Sequence, residues 1–231
     1  RWAAAPGRMD APAELGNLRA PVGSTRRKRV LSREELTKVL PALKASPPYA
    51  AAMRVMLLTL VRREEAGAAR WRDVDLTPKV WRIPETKNGE PHEVPLSRRA
   101  VDLLQSLLPI GDAGEPIKPD PAALIFATST GAALGNWDRE TKAIHKASGT
   151  EGWTRHDLRR TGATMLGDMD ELPDIIEAAL NHVAIRSPLA ATYNRSRYRP
   201  QVAAALQRLA DALDGIEAGG AQVIPLRANG A

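Results

Sequence analysis

The sequence predicts a mixed α/β fold that is mostly helical and carries a small antiparallel β-sheet. Several stretches repeat apolar residues at the spacing of an amphipathic helix, such as Val202, Leu206, Leu209 and Leu213. Two short segments have the composition of strands, and the Asn-Gly pair between them is typical of a hairpin. With 231 residues, 43% of them hydrophobic, the chain can bury one sizeable core.

Composition narrows the classes of function. The chain has 33 Lys and Arg against 27 Asp and Glu, which gives a net charge of +6 and favours a polyanionic partner. The absence of cysteine excludes disulfides and thiolate metal sites. No apolar run reaches membrane-spanning length and no signal peptide is visible, so we expect a cytoplasmic protein without a membrane partner.

The first 30 residues have the composition of a linker. Proline and glycine recur through them, and the basic run Arg26-Arg27-Lys28-Arg29 follows. This run is either a solvated linker or a strap that lies on phosphates. Ser32 and Glu35 then form a capping-box pattern, which predicts a helix to about Lys44 and the start of a domain at residue 31.

A second helix is predicted from Tyr49 to about Gly67. Its first part is almost wholly apolar, which indicates burial, and it becomes charged at Arg62-Arg63-Glu64-Glu65. These charges either end the helix in solvent or project into an anion site. The two strands follow at residues 80–84 and 92–96, and their hairpin places Lys87 near the tip, where a solvated lysine is the simpler interpretation.

The remaining elements are mainly helical. Ser97 caps a helix to about residue 107, the Pro/Gly-rich loop 109–121 should be exposed, and residues 124–127 should form a short buried strand or turn. Further helices are predicted at 136–146, from 155 onward, at 173–180, around 192–195 and at 200–213. We expect residues from 215 onward to form a flexible tail.

The stretch Arg155-His156-Asp157-Leu158-Arg159-Arg160-Thr161 predicts an anion site on a rigid element. His156 and Arg159 are three residues apart and therefore share one face of the helix. Leu158 and Leu166 fall mostly on another side and would seat the helix in the core. His-x-x-Arg arises easily by chance, so its meaning depends on the other motifs.

A set of motifs in this order resembles the catalytic residues of the tyrosine recombinases, the phage-integrase family: Arg62, Lys87, His156-x-x-Arg159, His182 and Tyr193. The resemblance extends over roughly residues 27–212. It implies the fold of that family's catalytic domain for residues 31–214, preceded by a linker (1–30) from a DNA-clamping domain and followed by the tail (215–231).

The resemblance also implies a function. The chain would belong to a site-specific recombinase or integrase of a phage or mobile element, which cleaves and rejoins double-stranded DNA through a 3′-phosphotyrosyl intermediate. We expect no metal, no ATP and no other cofactor. Recombination joins two duplexes, so we expect a monomer alone and a homo-oligomer, a tetramer, on DNA, with the helix at 200–213 and its tail as the element lent to a neighbour.

The residue types fit this chemistry. Arg62 and Arg159 can present rigid donor forks to non-bridging phosphate oxygens, and His182 can donate a further hydrogen bond. Glu65 is expected to orient these groups. The resemblance and the charge pattern also predict DNA contacts from Arg26, Arg27, Lys28, Arg29, Arg160 and Arg195.

Proton transfer needs the other three residues. Tyr193 would attack phosphorus, and because a free phenol has a pKa of about 10 it needs activation, with His156 as the expected helper. Lys87 would protonate the leaving 5′ oxygen. Tyr49 and Tyr198 are rival nucleophiles, and Tyr49 is predicted to be part of the core.

Other residues have simpler interpretations. His92 and His145 are expected to be structural or solvated, and Arg54, Arg195 and Arg197 to contact backbone phosphate or solvent. Two other functions stay open at this point. One is a metal-dependent phosphohydrolase built on His156-Asp157. The other is a catalytically inactive DNA-binding relative that acts as a regulator.

Overall fold

A computed structural model describes residues 29–44, 48–87, 89, 91–182 and 198–219. Its helices are α1 (Arg33–Ala42), α2 (Tyr49–Thr59), α3 (Arg63–Gly67), α4 (Arg98–Gln105), α5 (Trp137–Ser148), α6 (Arg155–Asp168), α7 (Pro173–Ala179) and α8 (Arg199–Glu217). Its strands are β1 (Val74–Asp75), β2 (Val80–Ile83) and β3 (His92–Pro95). In these ranges no helix combines the length and the apolar character needed to cross a membrane.

Helix α2 lies at the centre of the core. Nearly all of its residues are buried, including Met53, Leu57 and the charged Arg54. It contacts α6 along its length and also packs against α3, α4, α5 and α8. A helix that is apolar on all sides must be covered on all sides, and this one is.

The prediction of one helix from Tyr49 to Gly67 was wrong. The chain leaves the helix at Leu60, whose φ of 57° is left-handed, and Arg62 is extended before α3 begins at Arg63. The apolar pattern continues through Leu60 and Val61, both fully buried, and so hides the break. The Glu65 carboxylate accepts a hydrogen bond from the Arg62 backbone N–H and thereby caps a new helix.

The predicted helix starts are confirmed. Ser32 Oγ accepts from the Glu35 N–H at 3.2 Å, and Glu35 Oε2 accepts from the Ser32 N–H at 2.9 Å. Ser97 Oγ accepts from the Ala100 N–H at 3.3 Å. These contacts satisfy N–H groups that the first turn of a helix cannot pair internally.

The sheet has three antiparallel strands in the order β1-β2-β3. The hairpin of β2 and β3 is confirmed, with Trp81 opposite Val94 and Ile83 opposite His92. These side chains are buried, whereas Arg82 faces solvent. The alternation of buried and exposed residues is that of a sheet with one covered face. The sequence patterns did not predict β1, which has only two residues.

Helix α8 is longer than predicted and belongs to the core. It continues to Glu217, so residues 215–217, predicted to begin the tail, are helical and Ile216 is buried. The predicted apolar face is buried against this chain's own α1, α7, α2, α4 and α6, together with β3. The helix is packed within its own chain, and its exchange with a neighbour on DNA stays a prediction.

Arg54 was predicted to contact phosphate or solvent, and this prediction was wrong. Its side chain is buried in α2, where it donates to the Leu40 carbonyl oxygen at 3.1 Å and pairs with Glu217 at 2.6 Å. Lys44 and Arg99 also bind the Glu217 carboxylate, at 2.7 and 3.1 Å. The ion pairs join the end of α8 to α2, α4 and the residues after α1.

The loops follow the predictions. Most residues of loop 109–121 are exposed, while Ile125 and Phe126 are buried and Leu124 pairs with Arg70 in an isolated bridge. His145 has the structural role expected for it, because its ring contacts the Trp153 carbonyl oxygen at 3.0 Å and packs edge-on against the indole. His92 is also buried.

Candidate functional site

A cavity of about 1010 Å³ opens where α3, the N-terminus of α6 and the β2-β3 loop meet. Four residues of the predicted set line it: Arg62, Lys87, His156 and Arg159. They come from three separate parts of the chain, and Arg62 and Arg159 are 97 positions apart. The fold therefore brings four of the six predicted catalytic residues together in one cavity.

Arg159 is the most deeply held of the four. It is 3% exposed, and its guanidinium donates to the Leu60 carbonyl oxygen and, at 2.6 Å, to the Leu180 carbonyl oxygen. Burial, and then the nearby charge of Arg62, lower the pKa of Arg159 to about 10. The side chain still carries its charge at neutral pH, so it offers a fixed cation to the cavity.

Arg62 is oriented by Glu65. The carboxylate accepts from Arg62 Nη1 at 2.8 Å and from the Arg62 backbone N–H at 2.7 Å. The bend at Leu60 and the extended backbone of Arg62 turn this side chain out of the core and toward Arg159. The same bend orients the Leu60 carbonyl that binds Arg159, so one irregular segment places both guanidinium groups.

The start of α6 places His156 at the cavity. Asp157 caps the helix because its carboxylate accepts from both the N–H and the hydroxyl of Thr154 at 2.8 Å. Solvent reaches the His156 ring, but the cavity walls remove part of its hydration. This loss, followed by the positive charges of Arg160 and Arg159, lowers the pKa of His156 below its ordinary 6.5. The ring is therefore neutral at pH 7 and can accept a proton.

Lys87 also lines the cavity. It is exposed on the connection between β2 and β3, as the sequence predicted for a residue near a hairpin tip. Its neighbour Thr86 accepts a hydrogen bond of 3.5 Å from the side-chain amide of Asn181, next to His182. The end of α7 and the hairpin loop therefore touch beside the cavity.

His182 stands beside Arg159, with its Nε2 3.5 Å from Arg159 Nη2. Its Nδ1 contacts Glu177 Oε2 at 2.8 Å. Sequence reasoning missed Glu177, because residues five apart do not share a face of a regular helix. The Asn at position 181 was the available signal, since Asn often ends helices in the left-handed conformation that brings such residues together.

The predicted DNA contacts lie outside the cavity lining or outside the described ranges. Arg29 pairs with Glu35, and Arg160 pairs with Asp157 and contacts the Arg29 carbonyl oxygen at 3.4 Å. The structure does not describe Arg26, Arg27, Lys28, Arg195, Arg197 or Tyr193, the predicted nucleophile.

The two rival tyrosines are described and lie away from the four cavity residues. Tyr49 is half-buried, donates to the Gly135 carbonyl oxygen at 2.6 Å and packs edge-on against Trp137. Tyr198 precedes α8 and contacts Asp174 Oδ2 at 3.5 Å. Neither lines the cavity.

Comparison with known proteins places this chain in a family. The sequence profile of the Phage integrase family matches residues 29–199. The chain belongs to the phage integrase family. It is 33% identical over 169 residues to Prophage integrase IntA and 32% identical over 171 residues to Prophage integrase IntZ, both of Escherichia coli strain K12. These alignments cover 71% and 73% of the chain but 38% and 40% of the relatives, so the integrase chain spans about two-fifths of their length.

Solved structures share the fold. The XerA recombinase aligns with a TM-score of 0.54 and 23% identity over 81% of this integrase chain and 68% of its own. The lambda integrase catalytic core aligns with a TM-score of 0.51 and 21% identity, over 69% of this chain and 94% of that core. The predicted fold class, a tyrosine recombinase catalytic domain with a small antiparallel sheet, is confirmed.

Proposed function

We propose that this integrase chain cleaves and rejoins double-stranded DNA as a site-specific recombinase, through a 3′-phosphotyrosyl intermediate and without metal or ATP. The observation that carries the proposal is the cavity in which Arg62, Lys87, His156 and Arg159 converge. The relatives named as prophage integrases and a Tn1549 transposon integrase solved with circular intermediate DNA support it. We place this activity in the cytoplasm.

The cations hold the reacting phosphate. Attack on a phosphodiester builds negative charge on the non-bridging oxygens of a five-coordinate phosphorus. Arg159 and Arg62 are held before the substrate arrives, the first by backbone carbonyls and the second by Glu65. Because these donors are fixed, they stabilise the developing charge without further ordering. We assign His182, beside Arg159, a further hydrogen bond to the same phosphate.

Strand cleavage involves two proton transfers, one from the attacking tyrosine and one to the leaving oxygen. The Tyr193 oxygen forms a bond to phosphorus, its proton passes to neutral His156, and the bond from phosphorus to the 5′ oxygen breaks. Lys87 gives that oxygen a proton, which leaves a free 5′-hydroxyl and a 3′-phosphotyrosine. The lowered pKa of His156 fits this role, since a ring that is neutral at pH 7 is ready to act as a base. Attack by a second strand's 5′-hydroxyl reverses the step and rejoins the DNA.

The test is capture of the covalent adduct. Duplexes that bind the protein are first selected from a random pool, and a nick beside the cleavage point then prevents religation. Denaturing electrophoresis should show an adduct with the parent and none with Tyr193→Phe, while DNA binding stays nearly intact because only one oxygen is lost. An adduct that persists in Tyr193→Phe and disappears in Tyr198→Phe would contradict the assignment. No adduct with any variant would favour a DNA-binding regulator without catalysis.

We further propose that the protein is a monomer alone and a homo-oligomer, a tetramer, on DNA, because strand exchange requires cleavage of two duplexes. Sedimentation with and without the selected duplex should show this change in mass. The described part of α8 is buried in its own chain. Deletion from Pro200 onward should therefore unfold the domain rather than weaken assembly alone. A folded deletion variant would contradict this statement.

A further inference from the structure

Glu177 and His182 form a contact that the proposed catalytic set does not include. The His182 ring lies between two charged groups, with Nδ1 at 2.8 Å from Glu177 Oε2 and Nε2 at 3.5 Å from Arg159 Nη2. Arg159 lines the cavity, whereas His182 and Glu177 are not among its lining residues. The imidazole therefore connects a carboxylate to the cation at the cavity wall.

The end of α7 produces this contact. The His182 N–H donates to the Glu177 carbonyl oxygen at 3.0 Å, and the Asn181 N–H donates to the Ala178 carbonyl oxygen at 3.1 Å. Asn181 has a φ of 44°. This pair of hydrogen bonds around a left-handed residue is the Schellman motif, which turns the chain back over the last helical turn. It brings the first and last residues of the motif side by side.

Chemistry decides which ring nitrogen carries hydrogen. An ionised carboxylate can only accept, so the 2.8 Å contact requires a proton on Nδ1. Nε2 is then the nitrogen left for the cavity side. When the ring carries one proton, the bare Nε2 can accept from Arg159. When it carries two, Nε2–H can donate to a phosphate oxygen.

We propose that Glu177 is a positioning residue: it accepts from His182 Nδ1–H and thereby fixes the ring with Nε2 on the cavity side, where the doubly protonated ring can donate Nε2–H to the scissile phosphate. This inference rests on the proposed function for its kinetic consequence, but the arrangement itself does not depend on it. Catalytic histidines that bind metals are oriented by carboxylates in the same way, and loss of such a carboxylate typically costs about 10- to 100-fold in activity.

A purely structural ion pair would behave differently. The two side chains are 43% and 44% exposed, and pairs so exposed contribute little to stability. Removal of Glu177 should therefore leave thermal unfolding almost unchanged. A loss of rate without a loss of stability would point to positioning.

The kinetic experiment measures single-turnover adduct formation on the selected nicked duplex. Glu177→Ala should slow it by about 10- to 100-fold. Glu177→Gln should recover much of the rate, because its amide oxygen still accepts from Nδ1–H. In a His182→Ala background, Glu177→Ala should have little further effect, since the two residues act as one unit. Asp168→Asn, which removes an exposed acid at the end of α6, is the matched control and should match the parent.

The second readout is nitrogen NMR of the imidazole rings. The chain has four histidines, and His182→Gln identifies the signal of this one. The parent should show hydrogen on Nδ1 of the neutral His182 ring, and Glu177→Ala should shift it to the Nε2–H form that free histidine prefers. An unchanged tautomer, or rate losses that add in the double variant, would overturn the proposal. If the parent forms no adduct, the proposed function fails and the tautomer alone decides the role of Glu177.

Discussion

Arg54 and Arg159 are both buried, 7% and 3% exposed, but their charges are balanced in different ways. Arg54 pairs with the Glu217 carboxylate and donates to a carbonyl oxygen. Arg159 is held by two backbone carbonyl oxygens and, within the described ranges, has no carboxylate in ion-pair contact. Its nearest charged neighbours include Arg62, which lowers its pKa further.

We interpret the difference as that between a structural arginine and one proposed to bind the substrate. A buried charge is costly unless it is paired, and Glu65 and Glu177 act on Arg159 only from a distance, without an ion-pair contact in the described ranges. The charge of Arg54 is balanced by Glu217 within the protein. In Arg159 the charge stays available to an anion that enters the cavity, and the carbonyl oxygens fix its direction without neutralising it.

The largest expected effect comes from Arg159→Lys. An ammonium group cannot bond two carbonyl oxygens and a phosphate in one plane as a guanidinium can. Arginines that stabilise the transition state of phosphoryl transfer contribute about 10³ to 10⁵ in rate, and we expect a loss of that order in adduct formation. Arg54→Lys is the control, and its adduct formation should match the parent. Equal losses in the rate of adduct formation in the two variants would show that the two arginines do not differ in role.

The second prediction tests whether the exposed cation acts differently from the buried ones. If Lys87 protonates the leaving oxygen, Lys87→Ala should slow cleavage by about 10²- to 10⁴-fold, with DNA binding almost unchanged. A substrate with sulfur at the bridging 5′ position has a leaving group that needs no proton. Lys87→Ala should cleave that substrate at nearly the parent rate. Equal slowness on both substrates would assign Lys87 to the non-bridging charge, and His92, the alternative acid on the same hairpin, is buried outside the cavity lining.

The third prediction concerns the packing that holds Arg159. A Cβ at Gly162 would lie 2.5 Å from Leu60 Cδ2 and 3.2 Å from the Leu57 carbonyl oxygen. Leu60 is fully buried and cannot move aside freely. Gly162→Ala should therefore destabilise the domain by about 1–3 kcal/mol in chemical denaturation. It should also slow cleavage, because it displaces the carbonyl that binds Arg159.

Gly167→Ala is the matched control on the same helix. A Cβ there meets only Ile176 Cδ1, at 3.9 Å. Alanine in a helix is favoured over glycine, so this variant should be more stable by about 0.5–1 kcal/mol. If both variants changed stability in the same direction, the close approach of α6 to Leu60 would not be the cause.

The last prediction concerns Glu217, the counter-ion of Arg54. Burial alone would raise the pKa of Glu217, but hydrogen bonds from Arg54 and Lys44 outweigh it and lower the pKa to about 2. The unfolded carboxyl titrates near an ordinary value of about 4.3, so the unfolded state binds more protons between these values. The stabilisation is therefore complete above about pH 4.3 and is lost as the pH falls toward about 2.

Glu217→Gln should remove this dependence. At neutral pH we expect a loss of about 3 kcal/mol in the free energy of unfolding, as the difference between the two pKa values requires, because Arg54, Lys44 and Arg99 lose their shared counter-ion. Urea denaturation at several pH values should show the parent and the variant converging in acid. A constant difference down to about pH 2 would mean that the carboxylate does not titrate as the contacts require.

Much of the fold followed from local sequence. Ser32 with Glu35 and Ser97 predicted helix starts, because a capping side chain bonds the neighbouring backbone and needs no distant partner. The Asn-Gly pair predicted the hairpin of β2 and β3 for the same reason. The order of Arg62, Lys87, His156 and Arg159 was readable as a family resemblance, and the cavity then brought these residues together.

Only the tertiary structure determined which groups the buried arginines contact. The sequence around Leu60 is apolar and helix-like, but the chain bends there because its carbonyl meets Arg159, 99 positions further on. Arg54 and Glu217 are 163 positions apart, and no local pattern marks them as partners. Glu177 and His182 meet through a left-handed turn at Asn181. A contact set by the folded path of the backbone has no periodicity in sequence, so the motifs gave the chemical groups and the fold gave their partners.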